Sequence, residues 1–298
     1  MDLDVIIIGS GVIGAAMGFE LSKAGFKTLN IDRNHDAGTG STSASCAIIR
    51  VHYSTLDGSA LAYEGYFDWK NWKDYLGVED DHGIAKFVEC GCLVMKTKQN
   101  EFLKKHKSIC STLNIPFEEW DSHIIKKKLP LYNQESFAPA KRIDQDGFGE
   151  TNGSSINSGV FFPTGGYVTD PQLSAHNLRS AAEARGGVFK FNSEVVDIIK
   201  YNGKVSGVLL ASNEVINAPI VINVAGPASF KINKMEILRG PYTSWYDKVP
   251  GKSVKWKEKD WKKAGYRHVP NGVVRRGSYI AKNVVLMPSF VNLVAYVD

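Results

Sequence analysis

Apolar residues follow two rhythms along this chain. Val5 to Ile8 is an unbroken, mostly β-branched run, which predicts a strand buried on both faces. Ile13, Met17, Leu21 and Ala24 then recur at helical spacing, predicting a helix with that stripe inward and a left-handed end at Gly25. "KTLNI" predicts a second buried strand, and "DWKNWKDYL" predicts amphipathic helix packing through Trp69 and Trp72. Further on, Asp170-Pro171 marks a helix start, Leu173, Leu178 and Ala182 supply its stripe, and Gly186-Gly187 closes it. "SEVVDIIKY" and "KVSGVLL" flank Asn202-Gly203, the strongest short hairpin signal in the chain. "APIVINVAGP" reads as a late buried strand whose small final residues, Ala225 and Gly226, let a neighbour pass close by.

The second rhythm occupies the last part of the chain. Val273, Tyr279, Val285, Val291 and Val297 recur every six residues, the period of a left-handed parallel β-helix in which each sixth side chain points into the prism.

Composition bounds the reading. With 298 residues, 43% of them hydrophobic, the chain can bury one large core or two modest ones. It contains no apolar run of about 18 residues, and "MDLDVIIIGS" carries acids where a secretory leader would be basic. A cytoplasmic location with no membrane partner is expected. Cys46, Cys90, Cys92 and Cys110 are too few and too irregular for a disulfide framework, and Cys90-Gly-Cys92 lacks a second ligand pair, so no metal site is expected either.

The net charge of +5 is unevenly spread: residues 231–298 hold 14 Lys and Arg against 5 Asp and Glu, and the remainder is net acidic. "KSVKWKEKDWKKAGYRH" has the charge of a nucleic-acid footprint. Its acids are interleaved and no nucleic-acid motif accompanies it, so a solvated helix face and no nucleic-acid partner are expected.

The candidate chemistry begins at "GSGVIG". Gly9, Gly11 and Gly14 allow a tight turn, a pyrophosphate close to the backbone, and close packing of helix on strand. The helix start adds free N–H groups and partial positive charge. Asp32 closes the second strand, 18 residues after Gly14, placed to accept from a ribose. Strand, glycines, helix, strand and acid agree on the ADP half of a dinucleotide, which FAD and NAD share. Ser41, Thr42, Ser43 and Ser45 offer donors for the middle of a longer cofactor, and so favour FAD.

With "VIIIGSGVIG", "IIRVHYS", "GGYVTDP" and "VINVAGP", residues 1–230 resemble the D-amino-acid oxidase/sarcosine oxidase superfamily of FAD-dependent amine oxidoreductases. The resemblance implies an α/β fold: a Rossmann-like FAD-binding parallel sheet interwoven with an antiparallel substrate-domain sheet. "KFVECGCLVMKT" and "GVFFPTGGYV" would belong to that roof, at about residues 85–165. It implies cofactor contacts at Gly9, Gly11, Gly14, Asp32, Arg33, Ser41, Ser43, Ser45, Val195, Val196, Ala225 and Gly226, and a substrate carboxylate at Arg50. The implied reaction removes hydride from the carbon beside the nitrogen of a small amine or amino acid, giving an iminium that water hydrolyses. No catalytic residue is assigned; His52 beside Arg50 reads as structural, as a lone His usually does.

From Ser229 on, "SFKIN", "YDKVP", "AGYRHVP" and "AKNVVLMPSFVN" resemble tetrahydrodipicolinate N-succinyltransferase, a hexapeptide-repeat acyltransferase of lysine biosynthesis. Two segments are therefore expected, 1–230 and 231–298, joined within Ser229 to Asn233. Val294 departs from the glycine favoured in that repeat. Little more than one coil follows residue 273, and repeat folds need several, so both folds are expected to be incomplete and no acyltransferase catalytic residue is carried over. Truncation is expected to impair the oxidoreductase, with FAD bound weakly or not at all, no oxidation of sarcosine, dimethylglycine or D-amino acids and no succinyl transfer; a succinyltransferase fragment and an inactive chimeric product are the alternatives. The oligomeric state stays open.

Overall fold

The computed structural model describes residues 2–232, 236–239, 244–247, 251–254, 256–268, 273–286, 290–291 and 295–297. Val294, and Asn233 at the edge of the expected join, lie outside the described residues. The chain divides into two compact units, Met1–Glu194 with Ala218–Ala225, and Val195–Asn217 with Gly226–Asp298.

The first unit opens with β1 (Val5–Ile8), α1 (Val12–Lys23) and β2 (Thr28–Ile31), the predicted unit. β3 (Ile48–Ile49), α2 (Leu56–Lys70), α3 (Trp72–Leu76), β4 (Phe87–Val88), β5 (Cys92–Met95), α4 (Lys104–Thr112), β6 (Glu118–Asp121) and α5 (Ser122–Lys128) follow. Then come β7 (Ser158–Phe162), β8 (Gly166–Val168), α6 (Pro171–Glu183) and β9 (Val188–Lys190). The chain departs through β10 (Val195–Tyr201), β11 (Lys204–Leu210) and β12 (Val215–Asn217), and returns as β13 (Ile220–Asn223).

A parallel sheet of order β13-β1-β2-β9 forms the centre. Val5 pairs with Ile220 on one side and Thr28 on the other, and Leu29 pairs with Val188. Every residue of β1 and β2 is buried, as an unbroken apolar run in a doubly covered strand requires. Two antiparallel sheets, β3-β8-β4 and β5-β7-β6, complete this unit.

α1 does not bury the stripe that helical spacing predicted. Ile13 is 61% exposed, whereas Gly14, Ala15, Gly18, Phe19 and Ser22 are buried. The small residues win because they admit close approach. A Cβ at Gly18 would sit 2.5 Å from the side-chain oxygen of Asn30, whose Nδ2 donates to the Gly14 carbonyl at 2.8 Å. Phe19 anchors the same face; fully burying such a side chain stabilises by about 1.5–3 kcal/mol. The predicted end holds: Gly25 adopts φ +87°.

α6 starts as predicted, the Asp170 side chain accepting from the Leu173 N–H at 2.8 Å with Pro171 in the first turn. The expected Trp69–Trp72 helix is two helices that break at Asn71, with the indoles stacked 4.3 Å apart. No helix among the described residues is long and apolar enough to cross a membrane. All four cysteines are free thiols.

The second unit contains the β10–β11 hairpin, whose turn residues Asn202 and Gly203 take φ of 50° and 76° as a type I′ turn demands. β12 extends it to three strands. Val195 is buried and Val196 exposed, at a register shift in β10. After α7 (Ser229–Ile232), β14 (Glu236–Arg239) and β15 (Ser244–Asp247) pair antiparallel. α8 (Glu258–Ala264) then presents exposed Lys259, Lys262 and Lys263 to solvent while Trp261 packs against the local core, so the basic stretch is a solvated helix face.

Among the described residues, six short strands follow: β16 (Arg267–His268), β17 (Val273–Val274), β18 (Tyr279–Ile280), β19 (Val285–Leu286), β20 (Phe290–Val291) and β21 (Tyr296–Val297). They pair in parallel, Arg267 with Val285, Val273 with Phe290 and Tyr279 with Tyr296. The inward register is displaced by one residue from the expected one. Val274, Ile280 and Leu286 are buried, whereas Tyr279 and Val285 are about half exposed. Adjacent strand residues face opposite ways, and both positions of β17 to β21 are apolar, so a period of six fits either register. Val291 is inward as expected.

Candidate functional site

The nucleotide loop is built at the end of β1. Gly9 takes φ +107°, a conformation that glycine alone adopts freely, and a Cβ there would meet the Val224 carbonyl oxygen at 2.7 Å. Its N–H donates to the Ile31 carbonyl and the Val224 N–H donates to the Ile8 carbonyl, 2.8 and 2.9 Å. A Cβ at Gly14 would lie 1.9 Å from the Gly9 carbonyl oxygen, so the first turn of α1 sits directly on the loop. Gly11 is less constrained; its Cβ would meet only the Thr42 hydroxyl, at 3.2 Å.

Asp32, just past β2, receives the Ser10 N–H on Oδ2 at 2.7 Å and the Asn34 N–H on Oδ1 at 2.9 Å. A carboxylate has about four lone-pair sites, so each oxygen keeps acceptor capacity. Its carboxylate is thus fixed across the loop from the glycines. Arg33 beside it is exposed.

The Ser/Thr-rich segment folds back onto this loop. The Gly38 N–H donates to the Ser10 carbonyl at 2.9 Å and the Val12 N–H donates to Thr42 Oγ1 at 3.0 Å. Ser41, Ser43 and Ser45 are exposed; the Ser43 hydroxyl donates to the Gly40 carbonyl and the Ser45 hydroxyl accepts the Ala47 N–H. Thr42 is therefore the member that touches the start of α1. It was one hydroxyl among four in the sequence, and only the tertiary path separates it from the others. Asn30 was also missed, although a polar residue within an otherwise apolar strand is the signal that could have found it.

The donor set fits the ADP half of FAD. Glycine-only backbone, a helix start whose first N–H groups lack intrahelical partners, and an acid at the end of the second strand are the chemistry such a group needs. The Ser10 hydroxyl is wholly buried and without a hydrogen-bond partner, an acceptor and donor left over for a bound group. Ala225 follows β13 with its Cα 3.0 Å from the position of a Gly9 Cβ. Val195, Val196 and Gly226 fall in the second unit; Gly226 takes φ +56°.

Arg50 follows β3, exposed, with its guanidinium 4.6 Å from the Tyr53 ring centroid. Val51 and His52, which follow, are buried. His52 stacks on Phe162 at 4.0 Å, its Nδ1 without a partner. Burial, and then the charges of Arg50 and His106, push it down to about 4, so it is neutral at pH 7. Burial also raises the Cys92 thiol above its usual range, which argues against a thiolate nucleophile there.

A second cluster lies in the same unit. Asp80, His82 and His176 place one ligating atom each within 4.8 Å of one another, a grouping that sequence spacing does not reveal because α6 supplies His176.

Comparison with known proteins agrees with this geometry. Tetrahydropyridine-2,6-dicarboxylate N-succinyltransferases match over a short length: that of Pelagibacter ubique is 56% identical over 73 residues, and that of Agrobacterium fabrum 60% over 66. These matches take in 24% and 22% of this chain, which spans only about a quarter of those relatives, 26% and 23%. Among solved structures, L-proline dehydrogenase from P. horikoshii aligns with a TM-score of 0.64 at 20% identity, covering 79% of this chain and 58% of that one. Glycine oxidase from Geobacillus kaustophilus aligns at 0.62 and 20%, covering 78% and 57%. The family model for FAD dependent oxidoreductases matches residues 4–269, and the chain belongs to that family, DAO, whose cofactor is FAD.

Proposed function

We propose that this chain serves the FAD-dependent oxidation of the C–N bond of a small amino acid or amine. The observation that carries the reading is the joint presence, in one compact unit, of the Gly9–Gly14 turn fixed to Asp32 and of an exposed guanidinium at Arg50. FAD, when bound, supplies the acceptor for the hydride. The chain's own residues supply binding and orientation: N–H groups at the start of α1 for the phosphates, Asp32 for the ribose, and Arg50 for a substrate carboxylate, whose planar fork suits a bidentate grip. His52, neutral and packed on Phe162, holds the wall behind Arg50 and carries no proton in this reading.

The test loads the full chain with FAD and follows flavin absorbance anaerobically against sarcosine, dimethylglycine and D-amino acids. Bleaching by one of them is expected, in place of the loss of turnover that the sequence alone predicts, because the glycine turn, Asp32 and Arg50 share one compact unit; Arg50→Gln should raise KM for carboxylate-bearing substrates about 100-fold, the size of a charge-assisted pair. Bound FAD that no amine or amino acid bleaches would overturn the oxidation reading; an equal KM in Arg50→Gln would overturn the role of Arg50.

A second observation concerns the end of the chain. We propose that residues from about 230 on form a hexapeptide-repeat segment of the succinyltransferase kind, opening as a left-handed parallel β-helix. Parallel partners 17 or 18 residues apart, and buried Val274, Ile280 and Leu286 at intervals of six, support it. The family match runs on to residue 269, so the proposed boundary rests on the strand pairing and the buried positions alone. Cysteines placed at Val273 and Phe290 should form a disulfide on oxidation, and cysteines at Val273 and Tyr296 should not. The reverse outcome would overturn the coil.

A further inference from the structure

We propose that Asp80, His82 and His176 form a binding site for a divalent transition metal of the zinc type, clamping the loop after α3 to α6. Asp80 Oδ1 lies 3.5 Å from His82 Nδ1 and 3.5 Å from His176 Nε2. With zinc–ligand bonds of about 2.0–2.1 Å, two corners of a tetrahedron are separated by roughly 3.3–3.4 Å. The two Asp80–imidazole separations thus stand within a few tenths of an ångström of the spacing an ion would impose, and all three donors lie within 4.8 Å of one another. Two imidazoles and one carboxylate select zinc, cobalt, nickel or copper over calcium or magnesium, which prefer all-oxygen shells.

The surroundings orient each donor. The Asp80 side chain is 2% exposed; its Oδ2 accepts from Asn177 Nδ2 at 2.8 Å, and its Oδ1 accepts the His82 N–H at 3.0 Å and keeps a second lone pair for an ion. Asn177 is itself fully buried and also donates to the Gly83 carbonyl, so the carboxylate cannot swing away. His176 turns its other nitrogen, Nδ1, toward Asp36 Oδ2 at 3.8 Å, and Arg179 holds Asp36 at 2.8 Å. A carboxylate behind a ligating imidazole is the usual means of fixing its tautomer and raising its basicity. His82 is 70% exposed, so water can fill the fourth corner.

The cluster belongs neither to the glycine turn nor to Arg50, so the claim stands apart from the oxidation reading. The test strips the full chain with a chelator and titrates it with Zn²⁺ in competition with a chromophoric chelator, then with Co²⁺. One ion per chain is expected, together with Co²⁺ visible bands of four-coordinate intensity and no thiolate charge-transfer band. His82→Ala, at an exposed position that leaves the fold intact, should weaken Zn²⁺ at least tenfold. Asp36→Asn, which removes the carboxylate charge behind His176 together with its ion pair to Arg179 and leaves the three ligands in place, should weaken it about tenfold. Failure of the stripped chain to bind an ion, binding unchanged in His82→Ala, or a thiolate band that moves the ion to the cysteines would each overturn the proposal.

Discussion

Gly14 and His52 each carry a consequence that a single substitution exposes. At Gly14 the obstacle to a side chain is backbone, the Gly9 carbonyl oxygen 1.9 Å away, whereas at Gly11 it is one hydroxyl that can turn aside. Gly14→Ala is expected to cost about 1–3 kcal/mol in chemical denaturation despite alanine's better helix propensity, and to lower FAD affinity more than Gly11→Ala does. Equal effects would show that the turn is not where the loop is tight. His52 predicts a pH dependence. Its folded value, about 4, lies below the unfolded 6.5, so the unfolded chain takes up the proton first as pH falls. The stabilisation is therefore complete above pH 6.5 and lost between pH 6.5 and 4, about 3 kcal/mol in all. His52→Gln, which cannot titrate, should show a smaller fall in denaturant midpoint across that window than the parent chain; parallel curves would refute the assignment.

Elements were legible where local chemistry and tertiary demand coincide, and opaque where packing chose between equal options. The β1–α1–β2 unit, the Asp170-Pro171 start and the Asn202-Gly203 turn follow from glycine, proline and cap rules that act within a few residues. The inward face of α1 did not, because Gly14 and Gly18 have no hydrophobicity to register yet permit the approach that decides the packing. The choice of buried positions in β17, β18 and β19 was ambiguous for a related reason: apolar residues occupy both faces of each of these strands. Asn177 on α6 is a third case, a polar residue buried at a position where a helical stripe would be apolar. Its Nδ2 donates to Asp80 and the Gly83 carbonyl, and its Oδ1 accepts the Ala85 N–H at 3.0 Å, so one side chain ties α6 to the loop after α3. Asn177→Leu, which keeps the branched shape but puts larger methyl groups where the amide was, leaves those partners unpaired and is expected to destabilise by about 2–4 kcal/mol. A loss under 1 kcal/mol in urea unfolding would show that water replaces it.

At the scale of the molecule, the chain holds separate cores, one around Phe19, Trp72 and Leu178 in the first unit and one around Tyr266, Ile280 and Leu286 in the second. The glycines and Asp32 proposed to hold the cofactor, and Arg50, all belong to the first, so a ligand there should report on that unit. Hydrogen exchange read by peptide mass resolves this. A ligand that binds only the folded state adds about 2.7 kcal/mol at one hundred times its dissociation constant, which slows exchange through global opening up to about a hundredfold. Saturating FAD is therefore expected to protect β1, β2, the first turn of α1 and the segment 36–47, where Gly38 and Thr42 close on the loop. Leu286→Ala, which removes a buried side chain from the second core, should speed exchange in residues 273–286. FAD protection that spares β1 and α1 would mean the cofactor is held elsewhere, and the glycine turn would then be a packing device for the Val224–Ala225 crossing alone.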